Sequence, residues 1–208
     1  MSLLKIWGRM SSINVKKVVW TAQELGLDFE RHEAGGVHGV VKTPAYMALN
    51  PNSQIPVLEY GGYVLWESNV ITRYLCAKHS PGNFYPENLQ ERFDAERWME
   101  WQQTTVNPAS RNGFWHLIRL PADQKDPALI AQSNAAVELL MAILDAHLSS
   151  RSFMVGERFT MADIPLGCEV HRWFGLPQAR VKRPNIERWF TALAARPAAK
   201  GVLDMPLT

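Results

Sequence analysis

The hydrophobic period of this chain changes once, near residue 80, and that change limits what it can fold into. Leu3–Trp7 is a short apolar run ending at Gly8, which reads as a strand. Val15, Val18, Val19, Ala22 and Leu25 then recur at helical spacing, and Gly26 supplies a C-terminal stop. Asp28–Glu33 returns as a second strand. Strand, helix and strand in this order predict a parallel pair, because a crossover helix is the short way to bring two strands into parallel register. A Gly-rich loop spans Gly35–Gly39, and Pro44–Leu49 predicts a short helix. Pro56–Tyr60 and Tyr63–Trp66 flank Gly61-Gly62, the signature of a hairpin turn. Val70, Ile71, Tyr74 and Leu75 mark a further helix.

Beyond this point the alternation stops. Ser80–Asn88 is punctuated by Ser, Pro, Gly and Asn and reads as a linker. After it, Ala95, Trp98, Met99, Gln102 and Val106 share one helical face. Val137, Leu140, Met141, Leu144 and Leu148 share another; Met161, Ile164 and Cys168 begin a third; Ile186, Trp189, Phe190 and Leu193 make a fourth. The expected class is α+β, with an α/β domain over residues 1–80 and an all-helical domain over 88–208.

Composition removes several functions. Lys and Arg number 22 against 20 Asp and Glu, with no basic stripe, so nucleic-acid binding is not expected. No apolar run approaches the ~18–20 residues of a membrane span, and the N-terminus lacks signal-peptide anatomy, so a cytoplasmic protein is expected. The two cysteines, Cys76 and Cys168, lie far apart and form no CxxC, which argues against a dithiol reductase and against a zinc module. His38 has no second ligand at metal spacing, so no metal site is expected. Eight tryptophans remain as an oddity in so short a chain.

Four segments carry a resemblance: SSIN at 11–14, NPNSQIPVL at 50–58, WESNVITRYL at 66–75 and FTMADI at 159–164. In this order, with a helical second half, the chain resembles the cytosolic glutathione transferase superfamily. Its first loop is most similar to bacterial theta-related and nu-like members. The resemblance implies a thioredoxin-like N-terminal domain, glutathione as co-substrate, a homodimer and a role in detoxification. It also implies a cis Ile55–Pro56 bond, although a trans bond is the commoner state of such a pair. In that fold Ile55, with Gln54 and Pro56 around it, presents backbone groups to an extended peptide as an added strand would.

Glu67-Ser68 falls where a strand passes into a helix, and a helix N-terminus offers free N–H groups to a carboxylate. Ser68 suits the γ-glutamyl carboxylate and the resemblance gives Glu67 the neighbouring polar contacts; a plain capping role for Ser68 is compatible. The reaction needs a thiolate, because the thiol is a poor nucleophile. A cysteine thiol ionises near ~8.5, so making the thiolate dominant at pH 7 takes roughly 2 units, or ~3 kcal/mol. Ser12, at the start of the first helix, is the residue the resemblance points to as hydrogen-bond donor to that sulfur, and Asn14 either donates to the same sulfur or orients the loop. Ser11 competes with Ser12, and a simple N-cap is the alternative use of Ser12 or Asn14.

Thr160 and Asp163 have capping-box spacing, with Phe159 and Ile164 placed as a hydrophobic staple, and Pro165 is expected to remove a helical hydrogen bond and bend the helix. Lys16-Lys17 reads as a solvated face, and Cys76 as packing. Asn107, Arg111 and Trp115 follow the first bundle helix, which in the family helps form the electrophile pocket; core or dimer packing fits them equally. The expected activity is conjugation of glutathione to small electrophiles. Glutathione-dependent reduction of disulfides or peroxides, and a non-catalytic binding or regulatory module, are the two alternatives.

Overall fold

The structure is a computed structural model and describes residues 3–208. It divides into two compact units, Met1–Glu87 and Asn88–Thr208. The segment 81–87, read from the sequence as linker, belongs to the first unit.

In the first unit, β1 (Leu4–Trp7), α1 (Ile13–Glu24) and β2 (Phe29–His32) form the expected right-order crossover, with β1 and β2 parallel. After α2 (Pro44–Leu49), β3 (Val57–Tyr60) and β4 (Tyr63–Trp66) form a hairpin, and α3 (Ser68–His79) closes the unit. The sheet order is β2-β1-β3-β4, and β3 runs antiparallel to β1. Gly61 and Gly62 both have positive φ (60° and 82°), which the two-residue turn between right-twisted strands requires. Leu4, Ile6, Val15, Val18, Val57 and Leu58 are fully buried, so the sheet and α1 share one core.

The helical faces correct one expectation. Lys16 and Lys17 are buried, not solvated, and Lys17 is inaccessible to solvent. Its Nζ donates to Asn69 Oδ1 at 3.1 Å, and Thr21 Oγ1 meets Thr72 Oγ1 at 3.1 Å. The α1 face carrying these groups is covered by α3, and an ammonium taken out of water needs such acceptors.

The second unit contains α4 (Leu89–Trp101), α5 (Asn107–Phe114), α6 (Pro127–Leu148), α7 (Asp163–Gly175) and α8 (Pro184–Ala194). α4 and α5 are parts of one continuous helical run interrupted by a π-helical turn at Gln102–Val106, and a second π turn, Trp115–Arg119, ends it. Pro108 lies just beyond the first π turn. Its ring would collide with the Thr104 carbonyl of a regular α-helix, and it lacks the N–H to bond there; the wider turn relieves both problems. Among the described residues α6 alone is long and apolar enough to cross a membrane by length and composition. It is amphipathic, however: Val137, Met141, Leu144 and Leu148 are buried, and the helix packs against α5 and α8.

Thr160 and Asp163 form the returning half of a capping box: Thr160 N donates to Asp163 Oδ2 at 2.8 Å. The other carboxylate oxygen accepts from Met154 N and from Trp189 Nε1, both at 2.9 Å. One carboxylate therefore ties the loop before α7, the start of α7 and the middle of α8. Phe159 and Ile164 are both buried beside it. Pro165 is the third residue of α7, in the first turn, where N–H groups have no intrahelical acceptor.

Burial raises the Asp163 carboxyl to about 6, against the lowering effect of its donors. Between its unfolded value near ~3.9 and that raised value, the folded chain holds a proton that the unfolded chain releases. The contribution of this group to stability is thus complete below about pH 4 and declines as pH rises through the folded value. In denaturant titrations, the stability gap between the native chain and Asp163→Asn should narrow from pH 4 to pH 7. A gap that widens over that range would contradict this reading.

Candidate active site

The strand registers place His32, Trp7, Val57 and Trp66 in one row across the sheet. β1, β2 and β4 leave the sheet at this row and β3 enters it. Four segments therefore emerge side by side: the stretch after β2, the β1–α1 loop, the Ile55–Pro56 entrance to β3, and the β4–α3 junction. Ser12, Ile55, Pro56, Glu67 and Ser68 lie on these segments, and Asn14 and Gln54 adjoin them.

Ser12 is the N-cap residue of α1, with extended φ and ψ of −91° and 125°. Its side chain makes no capping hydrogen bond. Its backbone is fully used, since Ser12 N donates to Arg9 O at 3.1 Å and Ser12 O accepts from Lys16 N at 3.0 Å. A hydroxyl at an N-cap that does not cap remains available to a ligand at the positive end of the helix. Asn14 Oδ1 is buried without a hydrogen-bond partner. Ser11 is engaged differently: its Oγ accepts from Arg9 Nε at 3.1 Å.

Ile55–Pro56 is a cis peptide. The segment before it is anchored by two residues that sequence reasoning missed, Tyr46 and Asn50. Tyr46 Oη donates to Gln54 O at 2.8 Å and Asn50 Nδ2 donates to the same oxygen at 3.0 Å. The Gln54 carbonyl is thus committed to the loop. Burial pushes the Tyr46 hydroxyl up to about 12, so it stays a donor. The apolar cluster of Ala34, Tyr46 and Val57 packs with Ile55 and Trp7 beneath this edge. Gly8 has φ of 145°, and a Cβ there would collide with Val15 and come within 3.3 Å of Ile55 Cβ, so the first loop reaches Ile55 only as glycine.

Glu67 has a φ of 73°, a left-handed conformation costing about 1–3 kcal/mol in a non-glycine residue. Such strain marks functional sites more often than plain connections. Ser68 is the first residue of α3 and is buried, so its N–H is one of the groups without an intrahelical acceptor.

In the second unit, Asn107, Arg111 and Trp115 follow one another at four-residue intervals and so share a helical face. They are not equivalent. Arg111 is exposed and Trp115 is 43% exposed, whereas Asn107 Oδ1 accepts from Arg172 Nη1 at 3.1 Å. Arg172 belongs to a buried polar cluster. Glu169 accepts from Ser110 Oγ at 2.6 Å and from Gln102 Nε2 at 2.8 Å, and lies 3.5 Å from Arg172. The Asn107 amide oxygen thereby helps hold α5 on α7. The sequence carried only one hint of this cluster, the polar Gln102 on an otherwise apolar face.

Neither cysteine offers a nucleophile: Cys168 is buried, and burial pushes the buried Cys76 thiol up to about 12, with the Glu24 carboxylate adding to the rise. His38 lies 3.5 Å from Glu33 in a surface pair. Among the described residues no group of three His, Cys, Asp or Glu side chains converges on a metal position.

A four-stranded sheet of order β2-β1-β3-β4 with a cis-proline entrance to β3, followed by a helical unit, defines the class of thioredoxin-like domains with an appended helical domain. Residues 2–77 match the Glutathione S-transferase, N-terminal domain family, and residues 105–197 match the Glutathione S-transferase, C-terminal domain family. Glutathione S-transferase GstB of Escherichia coli (strain K12) is 34% identical over 208 residues, covering 99% of this chain and 100% of that protein. The theta class glutathione S-transferase of Xanthomonas axonopodis pv. citri, crystallised with glutathione bound, is 40% identical; it covers 100% of both chains with a TM-score of 0.96. Elongation factor 1-gamma 1 of Oryza sativa subsp. japonica is 30% identical over 168 residues, which are 78% of this chain and 39% of that protein. This chain belongs to the glutathione S-transferase family.

Asn69 follows Ser68 directly and bonds Lys17 of α1, so it joins the two helices whose first turns carry the site. Asn69→Ala leaves the buried ammonium short of an acceptor. The expected cost is about 1.5–3 kcal/mol of stability, read as a lower denaturation midpoint at unchanged m-value.

Proposed function

We propose that this protein is a glutathione transferase that joins the thiolate of glutathione to small electrophiles. The observation that carries this reading is the Ser12 hydroxyl at the start of α1, a donor that does not cap its helix. The Asn14 amide oxygen beside it is buried without a partner, an acceptor suited to an N–H of the bound peptide and not to its thiolate. An unsatisfied buried acceptor costs about 1–3 kcal/mol, which a bound ligand can relieve.

In this reading the γ-glutamyl carboxylate is held by the N–H and hydroxyl of Ser68, with Glu67 beside the α-amine. The cysteinyl residue pairs with the backbone of Ile55, and its sulfur comes to Ser12. The hydroxyl and the α1 N-terminus stabilise the thiolate, which needs roughly 3 kcal/mol to dominate at pH 7. The thiol proton leaves to solvent. The sulfur lone pair then forms the new C–S bond, and the leaving group departs with its electron pair. Ser12 is a donor throughout and never a general base. Trp115 and Arg111, exposed on one helical face, are the residues offered to the electrophile. Asn107, whose Oδ1 accepts from Arg172, is the third residue of this face.

A homodimer fits the exposed apolar side chains of the first unit: Tyr63, Trp66 and Val70 on β4 and α3 are 49%, 37% and 41% exposed. A cytoplasmic protein serving detoxification is the corresponding cellular reading. Reduction of a disulfide or peroxide would use the same thiolate, with the substrate attacked by glutathione itself; turnover of a small disulfide compared with an aryl halide separates the two.

Ser12→Ala should raise the pKa of the bound thiol by one unit or more, moving the pH–rate profile to higher pH while glutathione affinity changes little. An unmoved profile rejects the assignment. A non-catalytic module is tested separately by thermal shift, since glutathione at ~100-fold over Kd should stabilise the folded chain by about 2.7 kcal/mol. That module would bind glutathione without turnover of either substrate class.

A further inference from the structure

We propose that the surface pocket between the end of α7 and the start of α8 binds a free α-amino acid with an apolar or aromatic side chain. The pocket holds about 330 Å³ and is lined by Trp173 and Phe174 of α7, by Arg180, Val181 and Lys182 of the connection, and by Glu187 of α8. That volume is at the small end of ligand sites, which run from ~300 to ~1,000 Å³. The pocket lies wholly within the second unit and is independent of the glutathione reading.

Its walls are fixed by contacts to the rest of the helical unit. Glu138 of α6 ties the connection down: Oε1 accepts from Trp173 Nε1 at 3.2 Å, Oε2 accepts from Val181 N at 3.4 Å, and the backbone carbonyl accepts from Arg183 Nη2 at 3.1 Å. Asp145 Oδ1 accepts from Asn185 N and Ile186 N, at 2.9 and 3.1 Å, in the first turn of α8. Phe174 packs between Trp173 and Phe190, with ring centroids 4.9 and 5.1 Å away. Arg180 Nη1 donates to the carbonyls of Leu176 and Trp173 at 2.8 and 3.3 Å, and its Cζ stands 5.9 Å from the centroids of both Trp173 and Phe174. A connection without regular secondary structure is thus pinned around an open pocket, so a ligand there meets groups that are already ordered.

The charges in the pocket are unused. Among the described residues Arg180, Lys182 and Glu187 form no ion pair, although all three line the same small space. Arg180 uses one nitrogen on the two carbonyls, which leaves Nε and Nη2 for a carboxylate. Two cations and one carboxylate select opposite charges at different points: an anion at Arg180 and Lys182, a cation at Glu187. A plain carboxylic acid would face the Glu187 charge without pairing it, and a plain amine would face two cations. An α-amino acid carries an ammonium and a carboxylate on one carbon and meets both demands. Phe174 and Val181 offer an apolar wall to its side chain. Sequence reading passed over this connection because Arg180, Val181 and Lys182 share no period with the helices beside them.

Calorimetry with three probes tests this: L-phenylalanine, hydrocinnamate and phenethylamine, which share the ring and carry both charges, the anion alone and the cation alone. The native chain should bind L-phenylalanine about tenfold or more tighter than either of the others, the usual scale of one charge-assisted contact. Glu187→Gln should remove the advantage over hydrocinnamate, and Lys182→Met or Arg180→Met the advantage over phenethylamine. Ser68→Ala should change neither ratio, which separates this pocket from binding of the amino acid at the start of α3. The inference is overturned if L-phenylalanine does not bind at millimolar concentration, or if the three probes bind alike. It is also overturned if Ser68→Ala abolishes binding that Glu187→Gln and Lys182→Met leave intact. Neither the Lys182 nor the Glu187 side chain bonds to the rest of the fold, so these two variants decide the matter even if Arg180→Met does not fold.

Discussion

The buried contact between Lys17 and Asn69 is the constraint on which the site depends. Lys17 has no solvent exposure, so its ammonium carries a large desolvation cost that only internal acceptors offset. The Asn69 amide, and the Thr21–Thr72 hydroxyl pair one turn further on, bind α1 to α3 along a polar seam. An apolar seam would tolerate sliding, because dispersion and burial are not directional. Hydrogen bonds to a buried charge are directional, and they fix the two helices in register. Ser12 opens one of these helices and Ser68 opens the other, so their spacing is inherited from the seam.

The second unit uses the same principle twice. Asp163 collects Met154, Thr160 and Trp189 on one carboxylate. Glu169 collects Gln102, Ser110 and Arg172. The second cluster sits beside the π turn that Pro108 requires, so an interrupted stretch of helix is held by side chains where its backbone ladder is irregular. Buried polar groups of this kind specify one packing among many that hydrophobicity alone would allow.

Much of the local structure was legible in the chain. The alternation from Leu3 to Trp66, the Gly61-Gly62 turn and the helical faces of Met99, Met141 and Trp189 each reflect a short-range period that a sequence displays directly. The candidate site was legible in part, because Ser12, Ile55 and Ser68 lie where an element begins. Errors arose where a distant element changes what a residue means. Lys17 looks solvated on its own helix and is buried by α3. Pro165 looks like a helix breaker and stands in the first turn of α7, where a missing N–H costs a helix least.

The sequence by itself determined the two periods, the place where one replaces the other, and the residue types that can meet a peptide thiolate. These depend on neighbours within a few positions, whose relations are set by backbone geometry. Only the tertiary structure decided that Ser12 leaves its helix uncapped, that Tyr46 and Asn50 anchor the Ile55 loop, and that Arg9 lies against Gly35 and Gly36. The last of these is a contact across the sheet edge between segments brought together by strand order. Strand order follows from how the whole sheet buries its apolar faces, which no local pattern encodes.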